Sequence, residues 1–141
     1  MTHTTFAANM SGTPIAGAEY RPGVCNIGPE EIARRRRAGH VGILASLILL
    51  VILLAIGAPS LARLVVAIPA AGAASGYLQA WLKFCAGFGS RGVFNFGPLG
   101  QTEEVVDVDA RRRDRARARQ IGLASLAIGI AIGVVAALLP L

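Results

Sequence analysis

The sequence predicts an all-α integral membrane protein with three transmembrane helices, and composition, hydropathy pattern and charge placement all indicate this class. Of the 141 residues, 54% are hydrophobic and only 16% are charged, whereas a soluble domain carries about 25% charged residues. Charge is missing from three blocks: Ala38 to Leu61, the segment between Arg63 and Lys83, and the stretch after Arg119. Each block is long enough to cross a hydrocarbon core of about 30 Å as a helix.

The basic residues predict the orientation of these helices. If the N-terminus is cytoplasmic, every one of the 14 Lys and Arg residues except Arg63 falls on the cytoplasmic side. Lys and Arg in short loops resist translocation, so this orientation is favoured and the C-terminus is expected outside. The Arg-rich, Lys-poor composition indicates a bacterial source, and hence a multi-pass protein of the cytoplasmic (inner) membrane. Because each basic cluster adjoins a span, the net charge of +6 does not require a nucleic acid partner.

The N-terminal part of the chain divides into a flexible segment and a basic helix. Residues 1–28 lack hydrophobic periodicity and are predicted to be flexible, or ordered only by a partner, on the cytoplasmic side. The run Gly28-Pro29-Glu30-Glu31 predicts a helix start, because proline suits the first helical position and carboxylates complement the positive end of the helix dipole. Residues 29–57 are therefore predicted to form a basic helix that leads into the first span. The length of its apolar run argues against a cleaved signal peptide.

Two arginine clusters stand immediately before the first and third spans. They are interpreted as contacts to anionic lipid headgroups or as topology signals, and the two interpretations are compatible. The residues assigned to this role are Arg34, Arg35, Arg36, Arg37, Arg111, Arg112, Arg113 and Arg115.

Small residues mark the second span, predicted at 61–88, and the third span, which ends a basic helix predicted at 110–139. Gly72 and Gly76 form a small-xxx-small step, and the third span carries a small residue at every fourth position. Such faces allow helix backbones to approach closely, so the two spans are expected to pack on each other or on another protein. The residues assigned to helix packing are Gly72, Gly76, Ala80, Ser125, Gly129, Gly133 and Ala137.

Aromatic residues recur at the cytoplasmic end of the second span and in the loop that follows. This loop, residues 89–109, is predicted to be irregular and cytoplasmic because it is rich in Gly and Phe and then acidic. The aromatic residues are expected either to form an interfacial belt or to provide a docking surface for a partner helix, a tetrapyrrole or a lipid tail. The residues assigned as interface or partner contacts are Tyr77, Trp81, Phe84, Phe88, Phe94 and Phe96.

His40 is the candidate cofactor-binding residue, since it is the histidine at the entrance of the first span. A neutral imidazole there could ligate haem or a chlorophyll magnesium, although bis-histidine haem ligation would need a second residue at a suitable depth. The alternative is a headgroup-level histidine bonded to backbone or lipid. Cys25 and Cys85 lie far apart without CxxC spacing, so neither a disulfide nor a metal site is expected. Apart from lipid contacts and this pigment or haem possibility, no cofactor is predicted.

The sequence contains no catalytic constellation, and no span has a charged residue near its middle, so an enzyme or a secondary transporter is not expected. The first hypothesis is a small noncatalytic accessory or assembly subunit of a larger membrane protein complex, with other integral membrane subunits and anionic lipids as partners. The second is a self-assembling small pore or transporter whose lumen is lined by Ser46, Ser75, Gln79 and Ser125. The third is a pigment- or haem-contacting membrane subunit that uses His40.

Overall fold

The computed structural model describes residues 19–140, so residues 1–18 of the segment predicted to be flexible lie outside the described part of the chain. In chain order the elements are helix α1 (Pro29–Ala55), helix α2 (Ser60–Arg63), a 3₁₀ turn (Leu64–Val66), helix α3 (Ala67–Leu82), helix α4 (Ala86–Arg91), strands β1 (Val93–Phe94) and β2 (Glu103–Glu104), and helix α5 (Val108–Leu138). Three helical stretches of the described chain are long and apolar enough to cross a membrane: Pro29–Ala55, Ser60–Leu82 and Val108–Leu138. The expectation of a mostly helical protein with three such helices is confirmed.

The chain forms two compact units, each assembled from separate parts of the sequence. The loop unit combines the described residues up to Arg34 with Ala80–Arg119. The helix unit combines Arg35–Gln79 with the described residues from Gln120 onward.

Helix α1 has a defined start and a defined end. It begins at Pro29 and carries Glu30 and Glu31 in its first turn. After Ala55 the chain turns at Gly57, whose φ is +66°, and two carbonyls of the last turn accept backbone hydrogen bonds, Leu54 from Gly57 at 3.1 Å and Leu53 from Ala58 at 2.9 Å. This is the Schellman arrangement, in which a left-handed glycine satisfies the last carbonyls of a helix and stops it.

The second apolar stretch is not one continuous α-helix. The 3₁₀ turn Leu64–Val66 separates α2 from α3, and Pro69 lies in the first turn of α3. In an unbroken α-helix the ring of Pro69 would clash with the carbonyl of Val65, which explains why the irregular turn precedes the proline. Helix α3 ends at Leu82, because Lys83 adopts a left-handed conformation with φ +54°. The helix therefore stops well before the predicted end at residue 88.

The Gly-rich segment after Lys83 contains regular structure that the sequence did not indicate. Helix α4 ends at Gly92, which has a left-handed conformation. The antiparallel strands β1 and β2 then pair Val93 with Glu104 and Phe94 with Glu103. The packing of this segment explains why residue 89 is a glycine, because a Cβ on Gly89 would lie 2.7 Å from the buried ring of Phe84.

Helix α5 starts at Val108, earlier than the predicted residue 110. The Asp107 carboxylate accepts a hydrogen bond from the Asp109 amide at 3.0 Å, and the Asp107 carbonyl accepts the first helical bond from the Arg111 amide at 3.1 Å. Asp107 is thus the N-cap, the position at which an Asp side chain satisfies a free amide of the first turn. The basic helix begins at Val108 and not at Ala110.

Candidate functional site

The loop unit is held together by the side chain of a fully buried asparagine, Asn26. Its Oδ1 accepts a hydrogen bond from the Cys85 amide at 2.6 Å, and its Nδ2 donates to the Cys85 carbonyl at 3.0 Å. The Asn26 amide also donates to the Lys83 carbonyl at 3.2 Å. The side chain therefore satisfies the backbone of the sharp turn that follows α3, and it fixes the N-terminal segment to that turn.

A second buried asparagine, Asn95, connects the start of α1 to the turn that follows β1. Its carbonyl accepts from the Gly28 amide at 2.8 Å, its Oδ1 accepts from the Gly97 amide at 2.9 Å, and its Nδ2 donates to the Pro98 carbonyl at 2.9 Å. The same Nδ2 lies 3.4 Å from Oε1 of the buried Glu31. Buried polar groups need such partners, so the residues around Asn95 form a structural network.

Asp114, a fully buried carboxylate with 0% exposure, joins the N-terminal segment to α5. Its Oδ2 accepts a hydrogen bond from the Tyr20 hydroxyl at 2.6 Å, and its Oδ1 accepts from the Gly23 amide at 2.7 Å. The ring of Tyr20 stacks on Phe94 with centroids 4.7 Å apart. Burial, then the hydrogen bond to Asp114, and then the negative charges of Asp114 and Asp107 raise the pKa of Tyr20. The phenol is therefore a proton donor to Asp114 throughout the physiological range.

Most of the aromatic residues predicted to contact a partner are not on the surface. Phe84, Phe88, Phe94 and Phe96 are buried inside the loop unit, because the chain turns at Lys83 and folds back on itself. Phe94 and Phe96 pack with Val105 and Ala110, whereas Phe88 packs with Ile27 and Cys85. Trp81, in contrast, is 78% exposed. The four phenylalanines form the interior of the loop unit, and Trp81 stays accessible.

In the helix unit, α1 and α3 approach closely through glycines of both helices. A Cβ on Gly76 would lie 2.6 Å from the Gly39 amide nitrogen, and a Cβ on Gly42 would lie 2.7 Å from the Ala73 Cα. Gly39 faces the ring of Tyr77. Helix backbones at this separation leave no room for larger side chains.

His40, the candidate cofactor ligand, is next to the same contact. Its Nδ1 is hydrogen-bonded to the Tyr77 hydroxyl, and the two rings meet edge to face with centroids 5.4 Å apart. The imidazole itself is exposed. One ring nitrogen of His40 thus has a protein partner that the sequence did not suggest.

The small residues of α5 meet a face of α3 different from the one expected. A Cβ on Gly129 would lie 2.5 Å from the Ala71 Cβ, and a Cβ on Gly133 would lie 2.8 Å from the Ala67 Cβ. Gly72 is exposed, and a Cβ there would meet nothing within 4 Å. The structure therefore does not bring Gly72 or Gly76 against Gly129 and Gly133, because Gly76 faces α1 and Gly72 faces neither helix.

The other residues predicted to pack between helices are buried or half-buried. Ser125 is buried and donates its hydroxyl hydrogen bond to the Ile121 carbonyl of its own helix at 2.7 Å. Ala80 is buried, and Ala137 is half-buried.

The arginine clusters are mostly exposed. Arg34, Arg36 and Arg37 of the first cluster and Arg112, Arg113 and Arg115 of the second are exposed, whereas Arg35 and Arg111 are half-buried. The Arg111 guanidinium donates to the Val105 carbonyl, and its side chain covers Gly92. Arg111 thus has a structural contact in the loop unit.

The polar residues considered for a pore lumen bond within their own helices. The Ser46 hydroxyl donates to the Gly42 carbonyl at 2.7 Å, and Gln79 Nε2 donates to the Ser75 hydroxyl at 2.8 Å. The helix unit does contain a cavity of about 310 Å³, but its lining is almost entirely apolar. Side chains from three helices line it, among them Ile43, Leu47, Ala74, Tyr77, Ile128 and Ile132.

Arg63 is a structural residue that the sequence reasoning missed. It is only 5% exposed, its Nε donates to the Ala58 carbonyl at 3.2 Å, and its Nη1 donates to the Leu139 carbonyl at 2.9 Å. The guanidinium therefore binds carbonyls just beyond α1 and α5, where the negative ends of both helix dipoles favour a cation. Its position as the lone basic residue between two apolar runs was the available signal.

Cys25 and Cys85 are free thiols, the first half-buried and the second buried. Burial raises the pKa of the Cys25 thiol, which disfavours the reactive thiolate. Within residues 19–140, no group of three or more His, Cys, Asp and Glu side chains is arranged to hold a metal ion. Comparison of the chain with protein-family models, with curated proteins and with solved structures gives no match.

Proposed function

We propose that this chain is a small noncatalytic accessory or assembly subunit of a larger membrane protein complex. In this proposal it lies in a bacterial inner membrane with its N-terminus and the loop unit on the cytoplasmic side. The observation that carries the proposal is a pair of exposed valines on the loop unit, Val106 at 86% and Val108 at 69% exposure. They flank the N-cap Asp107 of α5.

The location of these valines favours a protein partner over lipid. The loop unit carries Arg112, Arg113 and Arg115 exposed on α5, and such a charged surface belongs outside the hydrocarbon core. Buried phenylalanines fill the interior of the loop unit, and Val106 and Val108 lie outside that interior. Next to them, β2 is the edge of a two-stranded sheet within the described chain, and edge strands can pair with a second protein.

The apolar surface of α1 supports integral membrane subunits as partners. Only 6% of the most apolar part of α1 is buried, against 28% for each of the other two candidate spans. Exposed side chains on this helix include Val41, Leu44, Ile48 and Val51. This surface is available to lipid or to a neighbouring helix.

The noncatalytic assignment rests on the hydrogen bonds that the buried polar side chains make within the loop unit. Asp114 accepts two hydrogen bonds from the N-terminal segment, and Asn26 holds the turn at Cys85. A catalytic acid or base has to reach a substrate from a cleft. Asp114 and Asn26 instead hold the backbone of the loop unit together.

The proposal is tested by native electrophoresis of the tagged full chain, extracted from its own membranes in mild detergent, with mass spectrometry of the band. We expect comigration with a larger hetero-complex. Val106→Glu should reduce the comigrating fraction by about tenfold, because it places a charge where apolar area would be buried.

The matched control is Gln101→Glu, which adds the same charge at another exposed position of the loop unit and should leave the complex intact. A monomer or homo-oligomer alone in the wild-type sample would contradict the proposal. Flux measurements in liposomes would then test the pore hypothesis.

A further inference from the structure

We propose that the helix unit binds one anionic phospholipid from the bilayer, with an acyl chain in its apolar cavity and the phosphate at Arg36. The cavity of about 310 Å³ is lined by apolar side chains of α1, α3 and α5, and a volume of this size is typical of small-ligand sites. Ile43, Leu47, Ile128 and Ile132 line it and yet remain 41% to 56% exposed, so the cavity opens sideways from the helices. A hydrocarbon chain matches such a lining.

The face of α1 that carries the lining residues Ile43 and Leu47 changes from apolar to cationic toward the start of the helix. Arg36, His40, Ile43 and Leu47 follow one another at intervals of four, three and four residues, which places them on a single helical stripe. Arg36 and His40 are both exposed. The stripe covers about 16 Å along the helix, with a guanidinium at one end and aliphatic side chains at the other. This is the polarity of a phospholipid lying along the helix.

The contact between His40 and Tyr77 marks the boundary between the two halves of the site. The Tyr77 hydroxyl is hydrogen-bonded to His40 Nδ1, while the same tyrosine side chain lines the cavity. On the cavity side of this boundary the lining is apolar except for Ser46, whose hydroxyl donates to the Gly42 carbonyl of its own helix. An amphipathic Tyr ring is suited to the depth at which a lipid headgroup meets its chains.

Charge complementarity selects an anionic headgroup. The helix unit contains no Asp or Glu in its described residues, yet Arg36 and the adjacent Arg37 are exposed in it. A guanidinium binds a phosphate through paired, charge-assisted hydrogen bonds. A lipid with net negative charge is therefore favoured over a zwitterionic lipid with the same chains.

The experiment is native mass spectrometry of the delipidated full chain in detergent with palmitoyl-oleoyl phosphatidylglycerol or phosphatidylcholine added. We expect the wild-type protein to retain one phosphatidylglycerol about fivefold more than phosphatidylcholine, the ratio that one arginine near a lipid surface provides. Arg36→Gln should bring the two lipids to equal retention. Arg34→Gln removes the same charge from the opposite face of α1 and should keep the preference.

The acyl-chain part of the site is tested separately. Ala74→Leu fills the cavity and should reduce retention of both lipids by about fivefold or more. Ala127→Leu, at an exposed position of α5 that is not three or four residues from Ile128 or Ile132, should leave retention unchanged. Equal retention of the two lipids by the wild-type protein, or an unchanged preference in Arg36→Gln, would overturn the proposal. Since Arg36 is exposed, that variant is expected to keep its circular dichroism spectrum. Full competition by glycerophosphoglycerol, which has no chains, would overturn the acyl-chain assignment.

Discussion

At the scale of single residues, the phenol of Tyr20 is the group whose ionisation would most directly disturb the loop unit. It donates to a fully buried carboxylate, and the burial of the ring and the charge of Asp114 raise its pKa above the usual value of about 10. The folded protein therefore binds this proton more tightly than the unfolded chain does. The resulting stabilisation is present in full below pH 10 and is lost as the pH rises above that value.

We expect the wild-type chain in detergent to lose stability above pH 10 more steeply than Tyr20→Phe, which lacks the phenolic proton of Tyr20. Thermal unfolding followed by circular dichroism would measure this, with the phenolate absorbance near 295 nm as a second readout. At neutral pH, Tyr20→Phe should be less stable by about 1–2 kcal/mol, because Asp114 loses a hydrogen-bond donor. Parallel pH profiles for the two proteins would contradict the role assigned to Tyr20.

For Arg63, the sequence predicts a position between two helices but does not predict burial. Its charge and its place between two apolar runs are visible in the sequence, and they predict a residue at the end of the helices. Its burial is not visible, because the Ala58 and Leu139 carbonyls that it binds come from distant parts of the chain. The partners of Asn26 and Asp114 are hidden for the same reason.

At the scale of elements, Gly72 and Gly129 provide a matched test of helix packing. Both are glycines in the interior of apolar helices, but a Cβ would meet nothing within 4 Å at Gly72 and would lie 2.5 Å from the Ala71 Cβ at Gly129. Gly129→Ala should destabilise the protein by about 1–3 kcal/mol, because the two helices have to move apart. Gly72→Ala should be neutral or stabilising by up to about 1 kcal/mol, because alanine favours the helix.

The measurement for this pair is unfolding in mixed micelles followed by circular dichroism. Equal stability of the two variants would show that α5 does not pack on α3 through Gly129. The sequence identified both glycines as candidates for packing, since small residues at four-residue intervals are a local pattern. Which helix each glycine faces depends on the rotation of α3, which the irregular turn at Leu64–Val66 helps to set.

Some element boundaries are set by residues adjacent in the sequence, and others by residues far away in the sequence. The start of α1 and the three apolar runs depend on residues next to one another, so the sequence is sufficient to predict them. The end of α3 depends on a left-handed Lys83, a conformation that is uncommon for a residue with a side chain. It is supported by Asn26, which bonds to the backbone of this turn from the N-terminal segment. No pattern within α3 itself indicates this stop.

At the scale of the whole molecule, the proposed orientation can be tested with single cysteines at exposed positions. In a background with Cys25→Ala and Cys85→Ala, Ser60→Cys places a thiol at the start of α2, and Ser90→Cys places one in the loop unit. Both serines are exposed. We expect an impermeant maleimide to label Ser60→Cys in intact cells and to label Ser90→Cys only after the membrane is opened.

The two variants act as controls for each other, since each shows that the reagent reaches an accessible thiol under one of the two conditions. The reverse labelling pattern would place the loop unit outside and would overturn the orientation. The basic residues predict the first pattern because all but Arg63 fall on one side if the three apolar stretches cross the membrane. The charge bias can be read from the sequence without knowledge of the helix contacts, so the sequence predicts an orientation but not which helix faces meet.

The buried Asp114 has a consequence for how the protein is made. Its two donors, Tyr20 and Gly23, precede it by 94 and 91 residues, and ribosomes add about 5–20 residues per second. The N-terminal segment is therefore synthesised at least about 5 s before Asp114. During that interval the first two of the three apolar stretches are synthesised while Tyr20 has no contact with Asp114. A chain that stops before Asp114 could insert its first two helices and still never close the loop unit.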